Sequence, residues 1–214
     1  MQILLEEKTV GHFASLSPEQ QQQRHAFRQT LRQRRQALTA DQQAEASAAI
    51  SHQILAYIDA HAIQDVALFL ANDGEINLQP LVHQLWQRQC RTALPVLHPV
   101  CPGHLLFLNY EANAPMHTNR FGIPEPQLAS QRIVPLQQLQ LILTPLVGFD
   151  QAGHRLGMGG GFYDRTLSGW AQGRHPHLQV AGVAHDCQAV EALPQAAWDV
   201  PLPLIFTPTK TWFF

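Results

Sequence analysis

The stretch Arg155-Leu156-Gly157-Met158-Gly159-Gly160-Gly161-Phe162-Tyr163-Asp164-Arg165 carries the densest chemistry in this chain of 214 residues. Four glycines in the five positions 157–161 free the backbone to take positive φ and to approach a ligand with no Cβ in the way. An apolar run at 139–147 precedes them and reads as a buried strand, and 162–170 reads as a short helix. Strand, glycine loop and helix N-terminus together aim backbone N–H groups and the helix dipole at one point, which suits an anion and above all a phosphate. Arg155 and Arg165 bracket the loop with charges that a plain turn does not need. Neither common phosphate loop fits. No Lys-Ser or Lys-Thr follows the glycines, and the last glycine of G-x-G-x-x-G would fall on Phe162.

Further candidates lie elsewhere along the chain. At 100° per residue, Arg24, Arg28, Arg32 and Arg35 fall in a stripe of about 80° beside Phe27, Leu31 and Leu38. Such a stripe at the rim of a buried face can lean over a cleft and pair with phosphates, or can be a solvated face. Asp73-Gly74-Glu75 is an acidic turn after a strand. Asp164 closes the glycine motif, where it can hold Mg²⁺ or cap the following helix. Of twelve histidines, only His175 and His177 form a close pair, with no carboxylate or cysteine at ligand spacing, so a histidine metal site is not expected.

With its flanks the glycine motif becomes specific. Thr144-Pro145-Leu146-Val147-Gly148-Phe149-Asp150, then Gly153, then the loop itself resembles the signature P-L-x-x-F-D-x-x-G-x-R-L-G-x-G-x-G-[FY]-Y-D of 5-formyltetrahydrofolate cyclo-ligases. These enzymes are also called 5,10-methenyltetrahydrofolate synthetases, and the likeness is to the enterobacterial type. It continues through Phe69-Leu70, Asp73-Gly74-Glu75, Leu94-Pro95-Val96, Ile123-Pro124-Glu125-Pro126 and Ala184-His185-Asp186, from Arg24 to the C-terminus.

That resemblance implies an ATP-dependent C–N cyclo-ligase that converts 5-formyltetrahydrofolate to 5,10-methenyltetrahydrofolate and needs Mg²⁺. It implies ATP-phosphate binding by Arg24, Arg28, Arg155 and the segment Leu156, Gly157, Met158, Gly159, Gly160, Gly161, Phe162 and Tyr163. Arg155 and Tyr163 are the expected catalytic residues. The family's early Lys-x-x-Leu-Arg helix falls on Arg24-His25-Ala26-Phe27-Arg28, with Arg28 and Arg32 as an alternative register. Glu75 corresponds to the residue on the pterin ring, and Leu70, Phe121, Met158 and Phe162 to its surroundings. Asp164 and Asp199 correspond to metal-contacting acids, although Asp199 also suits a turn before Pro201. Some members carry basic residues where this chain has Met158 and Gly160, which leaves more of the phosphate charge to Arg155 and the early arginines. Two other classes stay open: a sugar-phosphate isomerase of similar fold, and a non-enzymatic folate- or nucleotide-binding regulator.

The elements that must position these residues alternate. Strands are expected at 66–71, 92–97, 105–110, 139–147, 179–184 and 204–206, and helices at 17–38, 40–61, 78–91 and 162–170. Nearly all-apolar strands between helices predict a single three-layer α/β/α domain with a mostly parallel, Rossmann-like sheet, similar to sugar-phosphate isomerase folds. Its ligands would bind beyond the carboxyl ends of the strands. The proline-rich segment 99–126 reads as a hairpin with a long connection across the site. The domain is expected over 18–214, after an extension at 1–17. Charged residues are only 14% and the formal charge is −2, so no nucleic-acid partner is expected. No run approaches the ~20 apolar residues of a membrane span. Cys90, Cys101 and Cys187 form no disulfide framework, as suits a reducing cytoplasm. A monomer acting on ATP and 5-formyltetrahydrofolate, polyglutamylated or not, is the expectation.

Overall fold

The computed structural model describes residues 16–214. The expected extension at 1–17 therefore lies outside the described residues apart from Leu16 and Ser17. Ser17 is the N-cap of α1 (Pro18–Gln36): its side chain accepts from the Gln20 N–H, and Gln20 reaches back to the Ser17 N–H. Thr39 and Gln42 repeat this reciprocal cap at α2 (Ala40–Ala60). There follow β1 (Asp65–Ala67), α3 (Gln79–Gln87), β2 (Arg91–Leu97), β3 (Leu105–Asn109), β4 (Met116–Thr118) and β5 (Pro124–Pro126). The chain continues with β6 (Leu141–Pro145), β7 (Gly148–Phe149), β8 (Arg155–Leu156), α4 (Phe162–Ala171), β9 (Gln179–Val183), β10 (Leu204–Phe206) and β11 (Thr211–Phe213).

Seven strands form the central sheet in the order β11-β10-β9-β6-β1-β2-β3. The strands from β10 to β2 run parallel, and β11 and β3 add an antiparallel strand at each edge. Residues along β6 alternate between two cores. Leu141 and Leu143 join Ile50 and Ile54 of α2 and Leu81 and Leu85 of α3 on one face. Ile142 joins Leu167 of α4 on the other. That is why the strand is apolar throughout, and why the sheet is the middle of three layers. No helix among the described residues is long and apolar enough to cross a membrane.

Helix α1 belongs to neither outer layer. It packs on β7 and on the 3₁₀ turn Asp186–Gln188 that follows β9, at the carboxyl ends of the parallel strands. Leu31 is buried there against Gly148, where any Cβ would collide with the leucine side chain.

Several elements differ from the sequence expectation. The run at 139–147 does not stay in the sheet: after Pro145 it turns out, and β7 pairs with β8 in a separate hairpin. Asp150 fixes that hairpin by accepting from the N–H groups of Ala152, His154 and Leu193. The third helix stops at Gln87, since Gln89 takes φ +59°, and Arg91 opens β2 instead. Beyond the β2–β3 hairpin, the proline-rich segment forms a small β4–β5 ribbon, and β11 was not anticipated at all.

Candidate functional site

The glycine loop carries the chain from β8 into α4. Gly159 (φ +101°) and Gly161 (φ +64°) hold conformations that L side chains rarely adopt. Gly161 is the N-cap of α4 and no side chain caps the helix, so first-turn N–H groups remain available to a ligand. Asp164 sits in this turn but is not the cap. Its Oδ1 accepts from Arg155 Nη2 at 2.7 Å and from the Val200 N–H at 3.3 Å.

Helix α1 faces the loop across a cavity of about 600 Å³ lined by Arg24, Arg28, Gly157, Gly159, Asp164 and Asp199, among others. Arg24 forks onto Asp199, with Nη2 to Oδ1 at 2.9 Å, and also donates to the Pro194 carbonyl at 2.8 Å. Arg28 donates from Nε to the Gly157 carbonyl at 2.8 Å and has no carboxylate partner among the described residues. Burial, and then the neighbouring Arg24, pull its pKa below the usual arginine value. Arg28 is thus the guanidinium on this wall left free to meet an anion. Arg32 is committed elsewhere, to Asp73 at 2.6 and 3.0 Å. Of the two registers, the cavity brings together Arg24 and Arg28.

Arg155 does not line this cavity. Only 6% exposed, it turns inward from β8 to pair with Asp164, and its Nη1 is buried without a partner among the described residues, as is the Tyr163 hydroxyl. Burial raises the Tyr163 pKa and the nearby Glu75 charge adds to it. Burial likewise lifts the Glu75 carboxyl to about 7, against the opposing pull of Arg35 and of the Asn72 N–H at 3.1 Å. The charges of Glu75 and Arg155 thus both act on Tyr163, and Arg155 in turn pairs with Asp164 beside the glycine loop.

Leu70 is partly buried against the α2–α3 core. Leu156 is fully buried, so only its backbone could approach a ligand. Phe121 (54% exposed) meets Phe162 edge-on with centroids 5.9 Å apart, and Met158, on the loop before Phe162, is 52% exposed. Exposed apolar side chains next to the glycine loop offer a surface for a flat ring.

The two expected metal acids differ. Both Asp199 oxygens are taken, by Arg24 and the Ala196 N–H, so it does not fit as a ligand in this arrangement. Asp164 uses only Oδ1, which leaves Oδ2 for a cation. No group of three or more His, Cys, Asp or Glu suited to a metal occurs among the described residues. Sequence reasoning missed Trp198 and His25, which also line the cavity. Trp198 adjoins Asp199, but a lone tryptophan before a turn carries no signal of its own.

A family model for the 5-formyltetrahydrofolate cyclo-ligase family matches residues 20–208. The chain is 49% identical over 182 residues to the 5-formyltetrahydrofolate cyclo-ligase of Escherichia coli K12, covering 85% of this chain and 98% of that protein. It is 44% identical to the Haemophilus influenzae protein of the same name, covering 85% and 95%. Among solved structures, the 5,10-methenyltetrahydrofolate synthetase of Aquifex aeolicus superposes with a TM-score of 0.74 at 26% identity, covering 89% of this chain and 92% of that one.

Proposed function

Because the chain belongs to the 5-formyltetrahydrofolate cyclo-ligase family, we propose that it closes 5-formyltetrahydrofolate to 5,10-methenyltetrahydrofolate while ATP is converted to ADP and phosphate. One observation carries this reading: an uncapped helix N-terminus with its glycine loop faces Arg24 and Arg28 across a single cavity. Asp164 on the cavity wall pairs with Arg155, whose charge, like that of Glu75, acts on Tyr163.

A formamide oxygen is a poor leaving group. Transfer of the ATP γ-phosphoryl group onto it makes a phosphate ester of an iminium carbon. N10 then attacks that carbon, the C–O bond breaks, and inorganic phosphate leaves. Such chemistry asks for alignment and charge neutralisation more than for a protein nucleophile. The loop N–H groups and Arg28 take the phosphates, and Asp199 holds Arg24 in place beside them. Arg155 acts through Asp164. Tyr163, whose hydroxyl has no hydrogen-bond partner among the described residues, donates toward the formyl oxygen. Glu75 accepts two N–H bonds from the pterin edge, and Phe121, Phe162, Met158 and Leu70 frame the ring.

Mg²⁺ would be held by Asp164 together with phosphate oxygens and would neutralise charge on them. Asp164→Asn should raise the Mg²⁺ concentration for half-maximal rate roughly tenfold or more, by removing charge from a hard-cation site. Asp199→Asn should instead loosen Arg24 and raise KM for ATP with little change in the Mg²⁺ curve. A Mg²⁺ titration at fixed ATP separates the two, and a wild-type curve for Asp164→Asn moves the metal elsewhere.

The reaction itself is tested by the methenyltetrahydrofolate absorbance. It should rise only when both ATP and 5-formyltetrahydrofolate are present, with one ADP per turnover. A rise without ATP, or none with both substrates, would overturn the proposal.

A further inference from the structure

The C-terminal half of α1 does not face the cavity. It ends on the turn that presents Glu75. Arg35 is 0% exposed and spends its guanidinium on three groups: the Asp73 carbonyl at 2.8 Å, the Asp73 carboxylate at 2.8 Å and the Leu146 carbonyl at 3.2 Å. Its Nη2 also lies 3.8 Å from Glu75 Oε1. Arg32 grips Asp73 from the solvent side, and Gln36 bonds the same carboxylate. Asp73 itself has φ +54°, a left-handed conformation uncommon for a residue other than glycine, which these bonds hold in place.

The allocation of charge in this cluster is uneven. Asp73 takes the short contacts of both arginines, which hold its carboxyl down to about 2. Glu75 keeps only one backbone N–H and the longer approach of Arg35. With Arg32, Arg35 and Asp73 charged, the set balances only when Glu75 is a carboxylate. The other titratable groups facing it do not supply a cation. Tyr163 on α4 is neutral, and His185 after β9 is driven to about 4 by burial and so is neutral too. Arg155 is spent on Asp164.

We infer that Arg35 and Asp73 are positioning residues for Glu75: the ion pair they form at the end of α1 sets the charge that Glu75 presents to the substrate. A nearly desolvated carboxyl beside one cation and one anion responds steeply to either neighbour. The same helix also carries Arg24 and Arg28, so one rigid element places the groups proposed for ATP and for the pterin. The inference rests on the reading of Glu75 as the pterin acceptor.

Two substitutions act in opposite directions. Arg35→Gln removes the cation and should raise the Glu75 midpoint, which stands at about 7. Asp73→Asn removes the anion, releases Arg35 toward Glu75 and should lower the midpoint. A shift of roughly one pH unit either way is expected. The direct readout is a ¹³C NMR titration of the Glu75 side-chain carboxyl, assigned by its loss in Glu75→Gln. The second readout is the acid limb of kcat/KM for 5-formyltetrahydrofolate, which should move with it. Shifts of one sign in both variants, or none, overturn the inference. Should Arg35→Gln fail to fold, Asp73→Asn alone decides, since only a downward shift is compatible. A limb that persists in Glu75→Gln would instead overturn the role of Glu75 on the substrate, while the NMR titration still judges Arg35 and Asp73.

Discussion

Arg155→Ala lowers turnover roughly 10- to 100-fold, the usual effect of deleting the group that orients a metal-holding carboxylate, and it also lowers stability. Its position beside the glycines in sequence, with the family resemblance, suggested a cation on the ATP phosphates. The structure turns it inward, 6% exposed and 2.7 Å from Asp164. Removing one partner of a buried pair leaves the other charge uncompensated, at a cost of about 3 kcal/mol or more. The Asp164 side chain is 20% exposed, so water recovers part of that cost. Arg155→Lys should rescue stability better than turnover, because an ammonium keeps the charge but not the planar fork. Urea midpoints together with rates at subsaturating ATP check this. Near-wild-type kinetics in the alanine variant would remove Arg155 from the mechanism.

Glu75→Gln raises KM for 5-formyltetrahydrofolate on the order of 10²-fold and leaves KM for ATP within a few-fold. Hydrogen bonds to a carboxylate contribute about 1.5–3 kcal/mol each, and the amide presents one acceptor oxygen where the acid has two. Burial lifts this carboxyl from 4.5 to about 7, so the wild-type kcat/KM for the folate should fall about tenfold per pH unit below that value. The variant should lose this limb. Stability runs the other way. A carboxyl whose pKa is raised by folding penalises the folded state once ionised, so its unfavourable term is absent below pH 4.5 and complete above about 7. The glutamine variant should therefore be the more stable protein at pH 8, by up to about 3 kcal/mol, with the gap closing by pH 4. An effect on ATP alone would place Glu75 on the other substrate.

The sheet was legible because its strands are covered on both faces, which leaves continuous apolar runs such as Leu141-Ile142-Leu143. The β7–β8 hairpin was not, since strands of two residues have no periodicity to read. Its consequence is the inward direction of Arg155, which has no sign in the sequence. The arginine stripe on α1 was visible at helical spacing, but its division was not. Arg24 and Arg28 go to the cavity while Arg32 and Arg35 go to the acidic turn, and each choice depends on a partner distant along the chain. The pairing of Arg24 with Asp199, 175 residues away, had no local sign at all.

That separation bears on how the molecule is made. Helix α1 is made long before Asp199 and closes the longest loop in the site, and loop closure must be met before such contacts reward it. A nascent chain can lay β1, β2, β3 and β6 side by side while α1 still lacks Asp199. The cavity between α1 and the glycine loop can close only once residue 199 has emerged, and a chain stalled before it would hold five of the seven sheet strands without that wall.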